Sequence, residues 1–215
     1  MIEALFRMYA TRWRFFLDLT WEHMQISFIA IALAIAIGLA LGIGISEYRK
    51  WTPFVMGATN FVYTIPSIAL FGFLIPLSGI GNTTAVVALT IYALLPMVRN
   101  TYTGIVSIDK EIIEAAKGMG STPLQIVWKI KLPLAFPVIL SGIRNMVVMT
   151  IALAGIAAFI GAGGLGVAIY RGITTNNSVM TVAGSLLIAL LALLTDFGIG
   201  KYETHIKRKR RLMED

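Results

Sequence analysis

The sequence predicts an all-α membrane protein with about five transmembrane helices, on two observations. Only 13% of its 215 residues are charged, against about 25% in a typical soluble domain, and mean hydropathy is +0.80. The charges are also clustered. None falls in 24–46, 51–98 or 172–195, and Arg144 alone interrupts 132–170. A run of about 18 or more apolar residues crosses a hydrocarbon core of roughly 30 Å as a helix.

The elements follow in order. Residues 1–23 form an N-terminal amphipathic segment, with Arg7, Arg12 and Arg14 beside Trp13, Phe15, Phe16 and Trp21 at a headgroup layer. The segment lacks the short apolar core and small-residue cleavage site of a secretory signal. A transmembrane region covers 24–200. Its first span lies near 24–45. The blank interval 51–98 is too long for one helix and breaks at "IPLSGIGNTT", which places the second span near 54–75 and the third near 85–106. A polar loop, 107–133, precedes a fourth span near 134–160. A fifth runs near 178–199, and 201–215 form a basic tail.

Lys and Arg counts set the orientation. The loop after the first span, the loop after the third and the tail together carry twelve, and the opposite side carries four: Arg7, Arg12, Arg14 and Arg171. The positive-inside rule therefore puts the N-terminus outside and the C-terminus in the cytoplasm of a multi-pass plasma-membrane protein. The net charge of +7 expresses this topology and an attraction to anionic lipid, not a nucleic-acid partner.

Gly161, Gly163 and Gly166 in "FIGAGGLGVAIYRG" match G-x-G-x-x-G. A dinucleotide site needs a strand before this turn and an acid about 20 residues on. Here the next acid is Asp196, near the end of another apolar run, so the glycines are expected to end the fourth span and permit close backbone packing.

The polar loop "SIDKEIIEAAKGMGSTPLQIVWKIKLPLAFP" reads as two short helices with a hinge. Ser107 or Asp109 caps the first, and Glu111 and Glu114 complement its dipole. Gly118 and Gly120 end it. Thr122, Pro123 and Gln125 restart a helix as a capping box, and Pro133 and Pro137 are expected to close the unit. Local physics alone also permits a plain interfacial hairpin. The spacing adds more: Glu114, Ala115, Ala116, Gly120, Ile130, Leu132 and Pro133, seven positions over twenty residues, match the "EAA" motif of ATP-binding-cassette importer permeases. "YTIPSIALFGFLIPLSGIG", "VRNTYTGI" and "IGAGGLG" further resemble the permease subunits of osmoprotectant importers, which carry glycine betaine, carnitine or choline. Permeases of methionine or other small amino-acid importers are the alternative.

The resemblance implies a type I importer permease fold, methionine-importer-like, with the polar loop as a cytoplasmic coupling helix. It also implies a separate ABC ATPase subunit that binds the ATP, a second permease copy or a sister permease, and an extracytoplasmic substrate-binding protein. The chain itself has no G-x-x-x-x-G-K-[ST] segment and no Cys. It has no acid or His cluster suited to catalysis or metal binding, so no enzyme activity and no cofactor of its own are expected.

Pro66 falls within the second span, where it would free the carbonyl of Val62. Asn60, Tyr63, Thr64 and Ser67 surround it and are candidates for lining the substrate path, where aromatic faces and carbonyls attract a quaternary ammonium. Asn145 and Met149 on the fourth span join them, and Pro96 offers the third span a similar kink. Ordinary helix packing is the competing reading of these positions. Arg99, Arg144 and Asp196 are the ionisable groups within or near spans, and Arg144 with Asp196 is the expected structural ion pair.

Overall fold

The computed structural model describes residues 1–211, with the side chains of 209–211 aside; the rest of the expected basic tail lies outside the described residues. Ten α-helices follow one another among the described residues: α1 (Ile2–Thr11), α2 (Trp13–Glu47), α3 (Thr52–Thr64), α4 (Ser67–Ser78), α5 (Asn82–Val106), α6 (Lys110–Gly118), α7 (Pro123–Ile126), α8 (Leu132–Ala154), α9 (Gly166–Thr174) and α10 (Ser178–Arg211). No strand occurs among the described residues.

Among the described residues, four stretches are long and apolar enough to cross a membrane: α2, α5, Pro123–Ala154 and Ser178–Arg208. Connectivity makes the α3–α4 pair a fifth crossing. It starts beside the end of α2, where Glu47 pairs with Lys131. It ends at the start of α5, where Asn82 reaches Glu22 near the opposite end of α2.

α2 has 35 residues and is about 52 Å long at 1.5 Å per residue, well beyond a roughly 30 Å core. It runs unbroken through the boundary expected at residue 23. Its first turns, with Arg14, Asp18 and Glu22, stand clear of the apolar stretch. α1 packs back on the bundle, and the Tyr9 hydroxyl donates to the Ala183 carbonyl of α10 at 2.9 Å.

Further expectations are corrected. The second span is not one helix: α3 and α4 meet at Ile65–Pro66 with a bend of 104°. Proline disfavours the helical region for the residue before it, and Ile65 is extended at φ −70°, ψ 127°. The Val62 carbonyl is not freed, because it accepts the Ile65 N–H at 3.1 Å. The Ile65 carbonyl instead takes a side-chain donor, the Tyr92 hydroxyl of α5.

Pro133 and Pro137, in turn, do not close the polar loop. The helix passes through both, and a π-helical turn at Val127–Lys131 precedes Pro133. Widening one turn re-spaces the backbone bonds where a proline supplies no donor. α7, this turn and α8 thus form one helical stretch of 32 residues ending at Ala154. Residues Ala157–Ile160 form a separate 3-10 turn, so the fourth span stops short of the expected 160.

α2 and α5 approach closely at small residues. A Cβ on Gly42 would sit 2.5 Å from Thr101 Cβ, and one on Gly38 would sit 2.6 Å from Met97 Cγ. Ala30, Ala34, Ala88 and Ala93 are fully buried along the same helices. The glycine segment does not itself end the fourth span, which stops at Ala154; Gly161 instead caps the separate 3-10 turn in the left-handed region. Beyond it, the Gly163 N–H donates to Asn82 Oδ1 at 2.8 Å and the Gly164 N–H to Glu22 Oε2 at 3.0 Å. A Cβ on Gly163 would fall 1.9 Å from the Glu22 carboxylate, so glycine is needed for contact, not for phosphate binding.

Arg144 and Asp196 pair as the sequence suggests, through Nε to Oδ1 at 2.6 Å and Nη2 to Oδ2 at 2.8 Å. Glu203 enlarges the pair into a network. It accepts from Arg144 Nη1 at 3.3 Å, Ser141 Oγ at 2.6 Å and Lys207 Nζ at 2.6 Å. The network ties α8 to α10.

The close α2–α5 approach predicts that Gly42→Val lowers the stability of the purified protein by about 1–3 kcal/mol, the usual range for overpacking. Gly44→Val, at a site with open space, leaves the thermal midpoint close to wild type. Equal midpoints for the two variants would contradict the packing.

Candidate functional site

The polar loop folds into a rigid elbow, and its sequence explains how. Asp109 caps α6 by accepting the Glu111 N–H at 3.0 Å, and Lys117 occupies the last turn opposite the dipole. The helix ends in a paired-bond C-cap. The Gly120 N–H donates to the Lys117 carbonyl at 2.9 Å and the Ser121 N–H to the Ala116 carbonyl at 3.1 Å. This pattern needs a left-handed residue, and Gly120 supplies it at φ +82°.

The chain restarts at once. The Thr122 N–H donates to Gln125 Oε1 at 2.8 Å and the Gln125 N–H to Thr122 Oγ1 at 3.3 Å. Both bonds of the capping box are therefore made. With α7 running on into α8, the elbow is the end of a membrane-crossing rod, not a tether between spans.

The seven motif positions divide by burial. Ala116 is buried, as are its neighbours Ile126 and Val127, and they hold the elbow to the bundle. Ile130 and Leu132 are half-buried. Glu114, Ala115, Gly120 and Pro133 are exposed. The Lys131–Glu47 ion pair anchors the π-helical turn to the end of α2.

Around the exposed motif residues the elbow shows large apolar side chains that motif matching missed. Met119 is 80% exposed, Leu124 69% and Trp128 62%. Their signal was present in the sequence, since each is an apolar residue in a segment otherwise polar on its outer face. Exposed apolar side chains grouped in this way mark a surface that contacts another protein or the membrane.

The candidate path residues fall into three groups. Tyr63 and Met149 meet, with the Tyr63 hydroxyl donating to Met149 Sδ at 3.5 Å. Tyr63 also packs edge-on to Tyr92, centroids 6.0 Å apart, and Tyr92 in turn holds the Ile65 carbonyl just before Pro66. Asn145 lies one turn from Met149 on the same face of α8 and is exposed. Asn60 stands apart, its Oδ1 accepting from Arg99 Nη2 at 2.7 Å, which gives that lone charge a partner. Thr64 bonds within its own helix, to the Phe61 carbonyl at 2.7 Å. Ser67 is half-buried at the start of α4.

Reasoning from the sequence overlooked Tyr92, which has no local signal because its partner is 27 residues away. His23 is buried, and its Nε2–H donates to the Ile151 carbonyl at 3.0 Å.

This geometry has relatives. The model of the binding-protein-dependent transport system inner membrane component family matches residues 34–208. The glycine betaine/carnitine/choline transport system permease protein OpuCB of Bacillus subtilis is 38% identical over 190 residues, covering 88% of this chain and 88% of that protein. The ergothioneine transport permease/ergothioneine binding protein EgtU of Helicobacter pylori is 48% identical over 143 residues, covering 66% of this chain and 26% of that longer protein.

Among solved structures, the inward-facing MetNI methionine ABC transporter aligns with a TM-score of 0.79 at 25% identity, over 89% of this chain and 95% of that one. The helical bundle is therefore the type I importer permease fold. With most of its length matched, the chain belongs to the binding-protein-dependent transport system inner membrane component family.

Proposed function

We propose that this protein is the membrane-spanning subunit of an ATP-driven importer for a trimethylammonium solute, coupled through the α6–α7 elbow to a separate ATPase. The observation that carries the reading is the elbow: an exposed apolar face around Glu114, Ala115 and Gly120, built onto the end of an unbroken helix that enters the bilayer. In this reading an ATPase subunit covers Met119, Leu124 and Trp128. Closure of paired ATPases shifts the elbow as a unit, because its C-cap and capping box leave no slack. The π-helical turn and α8 then carry the displacement to Asn145 and Met149.

The chain is oriented with the 1–23 segment outside and the 201–215 tail in the cytoplasm, and it works beside a second copy or a sister permease. An extracytoplasmic binding protein delivers the solute, the partner ATPase holds the ATP, and this subunit itself performs no catalysis.

The named cargoes of OpuCB, glycine betaine, carnitine and choline, share a trimethylammonium group with ergothioneine, the cargo in the name of EgtU. A cation of that kind is held by aromatic faces and soft donors without a buried counter-charge. Tyr63, exposed and held between Met149 and the buried Tyr92 at the Pro66 break, offers such a surface. The likeness to the methionine transporter favours a second reading, import of methionine or another small amino acid.

Two outcomes follow. Gly120→Asp places a side chain in the left-handed region and adds charge at the elbow. It is expected to abolish ATP-driven uptake while the protein still inserts into membranes at wild-type level, and normal uptake would remove the coupling role. In the reconstituted importer with its binding protein, betaine, carnitine, choline or ergothioneine is expected to stimulate ATP hydrolysis. Tyr63→Ala should lower that response roughly 5- to 30-fold, the loss of one desolvated cation–aromatic contact. Stimulation by methionine alone supports the second reading.

A further inference from the structure

We propose that the face of α10 from Leu193 to Arg208 is a binding site for an anionic phospholipid, with the headgroup phosphate held by Lys201 and Arg208. The inference rests on the chain's place in a membrane and not on which solute it carries. A cleft of about 650 Å³ runs along α10, with Leu193, Phe197, Lys201, His205 and Arg208 on its walls. These residues fall at intervals of three or four and so share one face of the helix.

The chemistry of the cleft changes along its length. At its membrane end Leu193 and Phe197 are 67% and 63% exposed, large apolar side chains with nothing of this chain over them. At the other end stand Lys201, His205 and Arg208. The boundary is sharp, with Lys201 Nζ lying 4.7 Å from the centroid of the Phe197 ring. From Leu193 to Arg208 is about 22 Å of helix, long enough for a headgroup and the upper part of an acyl chain.

The charge balance favours an anion. Asp196 also faces the cleft, but both of its oxygens are taken by the guanidinium of Arg144. Glu203, the other nearby acid, points into the α8–α10 contact and is 7% exposed. Neither Lys201 nor Arg208 forms an ion pair among the described residues. An anion seated there meets unspent positive charge, and a basic cleft between spanning helices at the membrane surface suits a lipid headgroup. A free phosphate matches only the basic end and leaves Leu193 and Phe197 uncovered, so the phospholipid is the occupant that fits the whole face.

The test counts lipids retained by the purified importer in native mass spectrometry, after exposure to mixed phosphatidylglycerol and phosphatidylcholine vesicles. Wild type is expected to retain phosphatidylglycerol selectively. Lys201→Gln with Arg208→Gln should retain roughly 25-fold less, since each basic residue near an anionic surface contributes about fivefold. Lys201→Arg should match wild type. If the double variant does not assemble, the single Lys201→Gln, with its fivefold loss, decides.

Undiminished phosphatidylglycerol on the variants, or equal retention of phosphatidylcholine by wild type, overturns the proposal. So does full displacement of the bound lipid by millimolar inorganic phosphate, which would show that the apolar half of the cleft contributes nothing.

Discussion

A backbone carbonyl left without a donor inside a bilayer costs several kcal/mol, and that constraint decides where this chain bends and where it stays straight. The sharp bend within the described spans is at Ile65–Pro66, and it is tolerated because Tyr92 donates to the Ile65 carbonyl. The loss of a donor at Pro133 is absorbed differently. One widened turn, Val127–Lys131, lets the helix continue. The same chemical defect therefore yields a corner in one place and a rigid rod in the other, according to what surrounds it.

The proposed mechanism uses both outcomes. The rod joins the elbow to α8, so a push on Glu114 or Met119 is not lost in a flexible linker. Asn145 and Met149 ride on the same rod, and Met149 touches Tyr63 beside the corner. In the proposed mechanism, the motor-facing surface and the candidate cargo surface are thus two ends of one mechanical part. The far end of the bundle is held by other means: Glu22 and Asn82 grip the backbone of Gly163 and Gly164. The Arg144–Asp196–Glu203 network locks α8 to α10 where the spans leave the membrane.

What could be read from the sequence was what is local or statistical. The blank charge intervals located the spans. Asp109, Gly120 and Thr122 with Gln125 declared their caps because each motif is complete within a few residues. Arg144 and Asp196 were legible as partners because so few charges lie near the apolar runs. Side chains that reach a distant backbone group were not legible. Tyr92 is remote from Ile65, and Glu22 lies 142 residues from Gly164. Pro133 misled for a related reason: Pro76, Pro96 and Pro137 also sit inside helices, and no residue type announces the widened turn that precedes Pro133. The motif also named positions without their directions, so the inward role of Ala116 and the outward display of Met119, Leu124 and Trp128 emerged only from the fold.

The central claim is that the elbow faces the cytoplasm and is covered by a second protein there. Because the chain has no cysteine, Met119→Cys places a single thiol at a site 80% exposed in the subunit alone. Labelling by a membrane-impermeant maleimide should occur in inside-out vesicles and not in right-side-out ones. Co-expression of the ATPase subunit should protect the thiol. Labelling from the outer side, or no protection by the ATPase, would contradict the account.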